Sequence, residues 1–181
     1  MAILPINVYG DKILRKKTEP VKQVDDDLIV EIQDMLTTMR NANGVGLAAN
    51  QVNIDKSIFV IDLSAVEGYE NFKPVIMINP KIIASSDETV VIEEGCLSLP
   101  NLRAEIERPE KIKVRYINTD EKEVEVEADE FFARVILHEY DHLIGKMIPD
   151  RVDGELRKKI NDQLKKIAER DVDIDYLITD K

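Results

Sequence analysis

A chain of 181 residues, 44% of them hydrophobic, is long enough to bury the core of one domain, and it has no apolar run near the roughly 20 residues that cross a bilayer, so a membrane-spanning reading is excluded. Lys and Arg number 25 against 36 Asp and Glu; the net charge of −11 opposes non-specific binding to nucleic acid, and no direct role on DNA is expected. The single cysteine, Cys96, cannot form an internal disulfide, and Met1–Ile6 lacks a basic leader followed by an apolar segment, so a reducing, cytoplasmic location is expected.

In chain order, the first regular spacing follows Asp25-Asp26-Asp27. Leu28, Ile32, Met35, Leu36 and Met39 recur at helical intervals behind acids that suit the positive end of a helix dipole, and Gly44 closes the segment. Ser57–Asp62 and Val75–Ile78 are apolar runs of strand length, the second interrupted by Asn79-Pro80. Residues 88–93 form another expected strand, leading into Cys96. Ile112, Val114 and Tyr116 alternate with Lys113 and Arg115, and Val124 and Val126 alternate with acids, which predicts an antiparallel pair turning around Asn118-Thr119-Asp120. Asp129 is placed to cap a helix running to Gly145, with Phe131, Phe132, Val135 and Ile136 towards the core. A last helix begins near Asp153, where Leu156, Ile160, Leu164 and Ile167 share a face and Lys158-Lys159, Lys165-Lys166 and Arg170 form a basic patch. The expected fold class is α+β: one catalytic domain over residues 1–170, with antiparallel or mixed sheets around a central histidine-bearing helix, a long N-terminal helix and a C-terminal helix. Residues 171–181 are an acidic tail whose order the pattern does not decide.

Three stretches carry chemistry. Both histidines lie in His138-Glu139-Tyr140-Asp141-His142, and helical residues four apart share a face, so two imidazoles can meet one cation with Glu139 beside them. A catalytic site of this type takes three protein ligands and leaves one position open. No third histidine exists, and the longer zincin pattern, matched at Gly145, fails at Ile148. Cys96, in Glu94-Gly95-Cys96-Leu97-Ser98, is the best soft, anionic candidate, and the glycine before it allows a tight turn. Two other readings stay open: a metallopeptidase with Glu155 or Glu169 as third ligand, and a non-enzymatic binding domain stabilised by metal. Glu94 and Asp141 are candidates for orienting the ligands, with Asp141 favoured because it lies inside the histidine helix. The third stretch, Gly44-Val45-Gly46-Leu47-Ala48-Ala49-Asn50-Gln51, lacks the Lys-Ser/Thr ending of a phosphate loop; its small residues suit close backbone approach to a ligand, and Gln51 offers an amide donor.

In this order the three stretches match GxGLAAxQ, EGCLS and HExDH, and the chain resembles the peptide deformylases over most of its length. That resemblance implies a metal-dependent hydrolase that removes the formyl group from the N-terminal methionine of newly made proteins and releases formate. It implies that Cys96, His138 and His142 bind one divalent metal, ferrous iron in the native enzyme with zinc, nickel or cobalt as replacements. Glu139 would be the acid/base group, and the Gln51 side chain and Leu97 N–H would stabilise the oxyanion. Gly44, Val45 and Gly46 are expected against the substrate, with Val45, Phe131 and Val135 candidates for a methionine pocket; Arg103 matches a basic position beside the family's cleft. Asn50 stands where many members have proline, an exchange expected to leave the loop less restrained before Gln51. The expected partners are N-formylmethionyl nascent peptides, with ribosome contact through the late basic helix as a separate expectation.

Overall fold

Helix α1 (Asp26–Asn41) buries Leu28, Ile32, Met35 and Met39, and the Asp25 carboxylate caps it by accepting from the Leu28 N–H at 2.9 Å. The computed structural model describes all 181 residues. After α1 come the short strand β1 (Gly46–Ala48), a 3₁₀ turn at Ala49–Val52 and strand β2 (Ile58–Ile61). Strands β3 (Val75–Ser85), β4 (Thr89–Cys96), β5 (Leu99–Pro109), β6 (Lys111–Ile117) and β7 (Glu123–Asp129) lead to helix α2 (Glu130–Leu143) and, beyond a second short turn, helix α3 (Gly154–Ala168). Five strands form one antiparallel sheet in the order β1-β2-β3-β6-β7, while β4 and β5 make a separate two-stranded hairpin.

The unbroken apolar run in β2 has a direct cause. Its residues are all buried because both faces of the strand are covered. Ile58 and Val60 join Leu47 and the α1 residues in one core, whereas Phe59 and Ile61 join Ala48, Met77, Val114 and the α2 residues Ala133, Val135 and Ile136 in another. A third core lies between the β5 residues Leu102, Ala104 and Ile106 and the α3 residues Ile160, Leu164 and Ile167. Helix α2 is therefore set against the β1–β2 end of the sheet, and α3 against the hairpin. No helix is long and apolar enough to cross a membrane.

Five details differ from the sequence reading or extend it. Asn79-Pro80 does not end β3; Asn79 adopts φ +51° and the register shifts between Ile78 and Lys81, so the pair forms a bulge inside a longer strand. Strand β5 was not expected, because Pro100, several charges and a buried Arg108 on the inward face mask the alternation of Leu102, Ala104 and Ile106. Asp129 occupies the N-cap position of α2 without a side-chain cap bond: β7 stays paired to Lys111 up to that residue, and the chain then turns through Glu130 at φ +48°. Arg170 leaves the basic patch and turns inward, donating to Asp11 at 2.6 Å and to the Thr179 carbonyl at 3.0 Å. The segment after it docks, since Ile6 donates to the Leu177 carbonyl at 2.9 Å and accepts from Thr179 N–H at 3.0 Å, a short parallel pairing with the N-terminal segment.

Candidate active site

The hairpin and α2 bring the two main motifs together. Cys96 ends β4, and Leu97 and Ser98 form the turn that reverses the chain into β5, with a register shift at Gly95/Cys96. His138 and His142 stand one helical turn apart on α2. The ligand atoms of Cys96, His138 and His142 all lie within 4.8 Å of one another, and Cys96 Sγ is 3.2 Å from His142 Nε2. His138 Nδ1 is occupied by Glu94 Oε2 at 2.8 Å, which leaves Nε2 for a ligand. Burial, His138 and Arg108 hold His142 well below the usual imidazole range, in the neutral form a metal ligand requires. Burial also disfavours charge on His138, but hydrogen bonds that its ring donates to Cys96 and Glu94 outweigh it and raise its pKa well above normal. The anions that favour a proton there equally favour a metal dication, and one thiolate with two imidazoles is a sound donor set for one. The residues fit the group.

Glu94, rather than Asp141, touches a histidine. Burial would raise the Glu94 pKa, but His138 and Arg108 hold the carboxyl well below the ordinary range. Arg108 binds both Glu94 oxygens, at 2.6 and 3.0 Å, and reaches Asp141 at 2.8 Å; Arg134 adds a bond to Glu94 at 2.8 Å and Arg151 one to Asp141 at 2.9 Å. Arg108, Arg134, Glu94 and Asp141 are all buried. This ion network locks the hairpin that carries Cys96 to the helix that carries the histidines. Asp141 acts on it one step removed, through Arg108. The sequence reading missed both buried arginines, although an arginine at the inward end of an alternating strand was a signal for a buried acid partner.

Glu139 is buried beside the ligands, its Oε2 has no hydrogen-bond partner, and burial pushes its pKa up to about 7. The glycines of the first motif make room for this centre: a Cβ on Gly46 would lie 2.4 Å from Glu139 Oε1, and one on Gly44 would lie 2.7 Å from Leu97 Cδ1. Gln51 accepts from the Ala48 N–H through Oε1 at 2.8 Å, while its Nε2 donates to Ser98 Oγ at 3.0 Å and lies 3.7 Å from Cys96 Sγ. Asn50 does not loosen the loop. It is fully buried and its Nδ2 donates to the His142 carbonyl at 2.6 Å, a bond to α2 that proline could not make. A cleft of about 450 Å³ opens over the site, bordered by Gly44, Val45, Gly46, Phe131, Val135 and Arg103 among others. Arg103 is largely exposed, paired in register with Gly95 and 3.8 Å from Glu93. Glu155 is exposed and paired with Lys158, and Glu169 lies at the far end of α3; neither joins the histidines.

Residues 3–158 match the family model described as polypeptide deformylase. The chain is 42% identical over 174 residues to a peptide deformylase of Chlorobium phaeobacteroides strain BS1, covering 96% of this chain and 94% of the relative. The chain belongs to the polypeptide deformylase family. Members remove the N-terminal formyl group from nascent proteins, and they depend on a metal. The crystal structure of the Thermotoga maritima peptide deformylase superposes with a TM-score of 0.79 at 44% identity, covering 85% of this chain and all of that one. A plant peptide deformylase superposes with a TM-score of 0.88 at 30% identity over 94% of this chain and 91% of its own. The α+β architecture described above is the family's fold, and the deformylase motifs converge on one cleft.

Proposed function

We propose that this cleft hydrolyses the formamide bond of N-formylmethionyl nascent peptides, with Cys96, His138 and His142 holding the metal. The observation that carries the reading is the convergence of these three ligand atoms within 4.8 Å beside the buried Glu139 carboxylate, whose Oε2 has no hydrogen-bond partner. When bound, a divalent cation supplies Lewis-acid polarisation of the formyl carbonyl and makes water nucleophilic near neutral pH. Glu139 takes the proton from the attacking water and returns it to the departing amine nitrogen. As the C–N bond breaks, formate leaves and the peptide keeps a free amino terminus. The Gln51 Nε2 and Leu97 N–H donate to the oxygen that gains charge; Leu97 N–H is not used by any backbone acceptor, and Gln51 is held in place through Ala48. Val45, Phe131 and Val135 provide apolar wall for the methionine side chain, Gly44 and Gly46 admit the backbone, and Arg103 at the rim orients the peptide.

Ferrous iron is the native metal on this reading, with zinc, nickel or cobalt able to replace it, since thiolate and imidazole donors accept each of them. The protein works in the cytoplasm, where nascent chains are made. Lys158, Lys159, Lys165 and Lys166, all exposed on α3, offer a surface for the ribosome; unchanged ribosome binding after their neutralisation would remove that part. The central experiment is formate release from a formyl-Met peptide by anaerobically purified protein with its metal quantified. Wild type should release formate, Cys96→Ser should lose metal, and Glu139→Ala should keep metal but lose turnover. Folded, metal-loaded wild type that yields no formate would refute the assignment.

A further inference from the structure

The turn that carries Cys96 and Leu97 is tied from outside the hairpin at three points. The Ser98 carbonyl accepts from Tyr9 N–H at 2.9 Å, Ser98 Oγ accepts from Gln51 at 3.0 Å, and the Leu97 carbonyl accepts from the Tyr176 hydroxyl at 2.8 Å. Leu97 lies between the paired residues Cys96 and Leu99, so the strand ladder restrains neither of its backbone groups. Tyr176 holds the peptide plane that joins Leu97 to Ser98. This tyrosine lies beyond residue 158, where the family model ends, and it borders the cleft. Its own segment is anchored: Leu177 and Thr179 pair with Ile6, and Arg170, Asp11 and Thr179 form a closed set of hydrogen bonds, with Thr179 Oγ1 donating to Asp11 at 2.8 Å.

We infer that Tyr176 is a positioning residue for deformylation, its hydroxyl holding Leu97 so that the Leu97 N–H faces the reacting carbonyl oxygen. The inference rests on the deformylase reading above. A phenol bonded to the Leu97 carbonyl fixes the plane after the Leu97 Cα while the Cys96–Leu99 pairing holds the residue before it, so rotation about the Leu97 backbone is limited from both sides and the N–H keeps its direction when charge develops. Loss of that restraint should therefore appear in kcat, not in KM. A tyrosine that only packed the tail would influence stability alone. A tyrosine that contacted the peptide beyond methionine would influence KM, and only for longer substrates.

The test is Tyr176→Phe in the metal-loaded full chain. Formate release is followed from formyl-Met amide and from a formyl-Met tripeptide, and hydrogen exchange is followed at the Tyr9 amide, which is bonded to the Ser98 carbonyl of the same turn. Removing one hydrogen bond should lower kcat about 5- to 10-fold on both substrates and speed Tyr9 exchange by a similar factor. KM should stay within about twofold, as expected for an interaction made chiefly in the transition state. Unchanged kcat and exchange would overturn the proposal, as would a change confined to the tripeptide KM, or a fall in Tm with normal kcat. If wild type itself released no formate, the deformylase reading would fail, while the exchange comparison would still decide whether Tyr176 fixes the turn.

Discussion

Gly46→Ala separates catalysis from stability in this protein. The added Cβ would sit 2.4 Å from Glu139 Oε1, 2.8 Å from Cδ and 2.9 Å from Cγ, whereas ordinary contact begins at 3.4 Å. The carboxylate must therefore retreat by about 1.0 Å. For the fold this is a small demand, because Gly46 does not need a positive φ and a side-chain end can swing away. Gly→Ala at a compatible position even gains about 0.4–1 kcal/mol through the unfolded chain. For the chemistry it is a large one, since a displacement near 1 Å of a reacting group costs about 10²-fold in rate, equivalent to about 2.7 kcal/mol of barrier. The assay is formate release from a formyl-Met peptide, with metal content and Tm measured on the same preparation. The expected result is kcat down about 10²-fold with metal retained and Tm within about 3 °C of wild type. Activity within about threefold of wild type would refute the placement of Glu139 as the proton carrier.

Arg108→Met deprives two buried carboxylates of a partner while each keeps another arginine. The cost should fall near the low end of the range for broken buried pairs, about 3 kcal/mol, and a chain of this length should lose about 6–12 °C in Tm. Arg115→Met, at the exposed pair with Glu125, is the control and should move Tm by no more than about 2 °C; equal effects would contradict the burial argument. Glu94→Gln should weaken metal binding about 10- to 100-fold in a chelator competition, because the bond that orients His138 is compromised; wild-type affinity would show that the ring is held by packing alone. Burial of Asp62 opposes its charge, but bonds from Ser64 and Arg40 prevail and lower its pKa. Its stabilisation is thus complete above the unfolded carboxylate pKa and lost as pH falls through the folded one. The Tm gap between wild type and Asp62→Asn should shrink below about pH 4, and a gap independent of pH would contradict this.

Features set by local periodicity could be read from the chain. His138 and His142 at helical spacing, the α1 stripe from Leu28 to Met39, and the alternating β6–β7 pair all depend on neighbours a few residues away. The Cys96 ligand was legible by chemistry, since no third histidine exists. What escaped depends on partners far along the chain. Glu94 and Asp141 are both acids beside a metal motif, and only the fold decides that Glu94 meets His138 while Asp141 meets Arg108 and Arg151. Asn50 read as a missing proline because its bond to the His142 carbonyl spans 92 positions. Tyr176 carried no pattern at all; its value comes from a single hydroxyl reaching back 79 residues to Leu97.

The pairing of Ile6 with residues 177–179 also makes a seam between the two end segments. Tyr176 lies beside that pairing, so its reach to Leu97 depends on a contact between two segments far apart in the chain. On the Tyr176 inference, fraying of this seam would release the hold on Leu97 while Cys96, His138 and His142 stay together, a local opening that precedes loss of the fold.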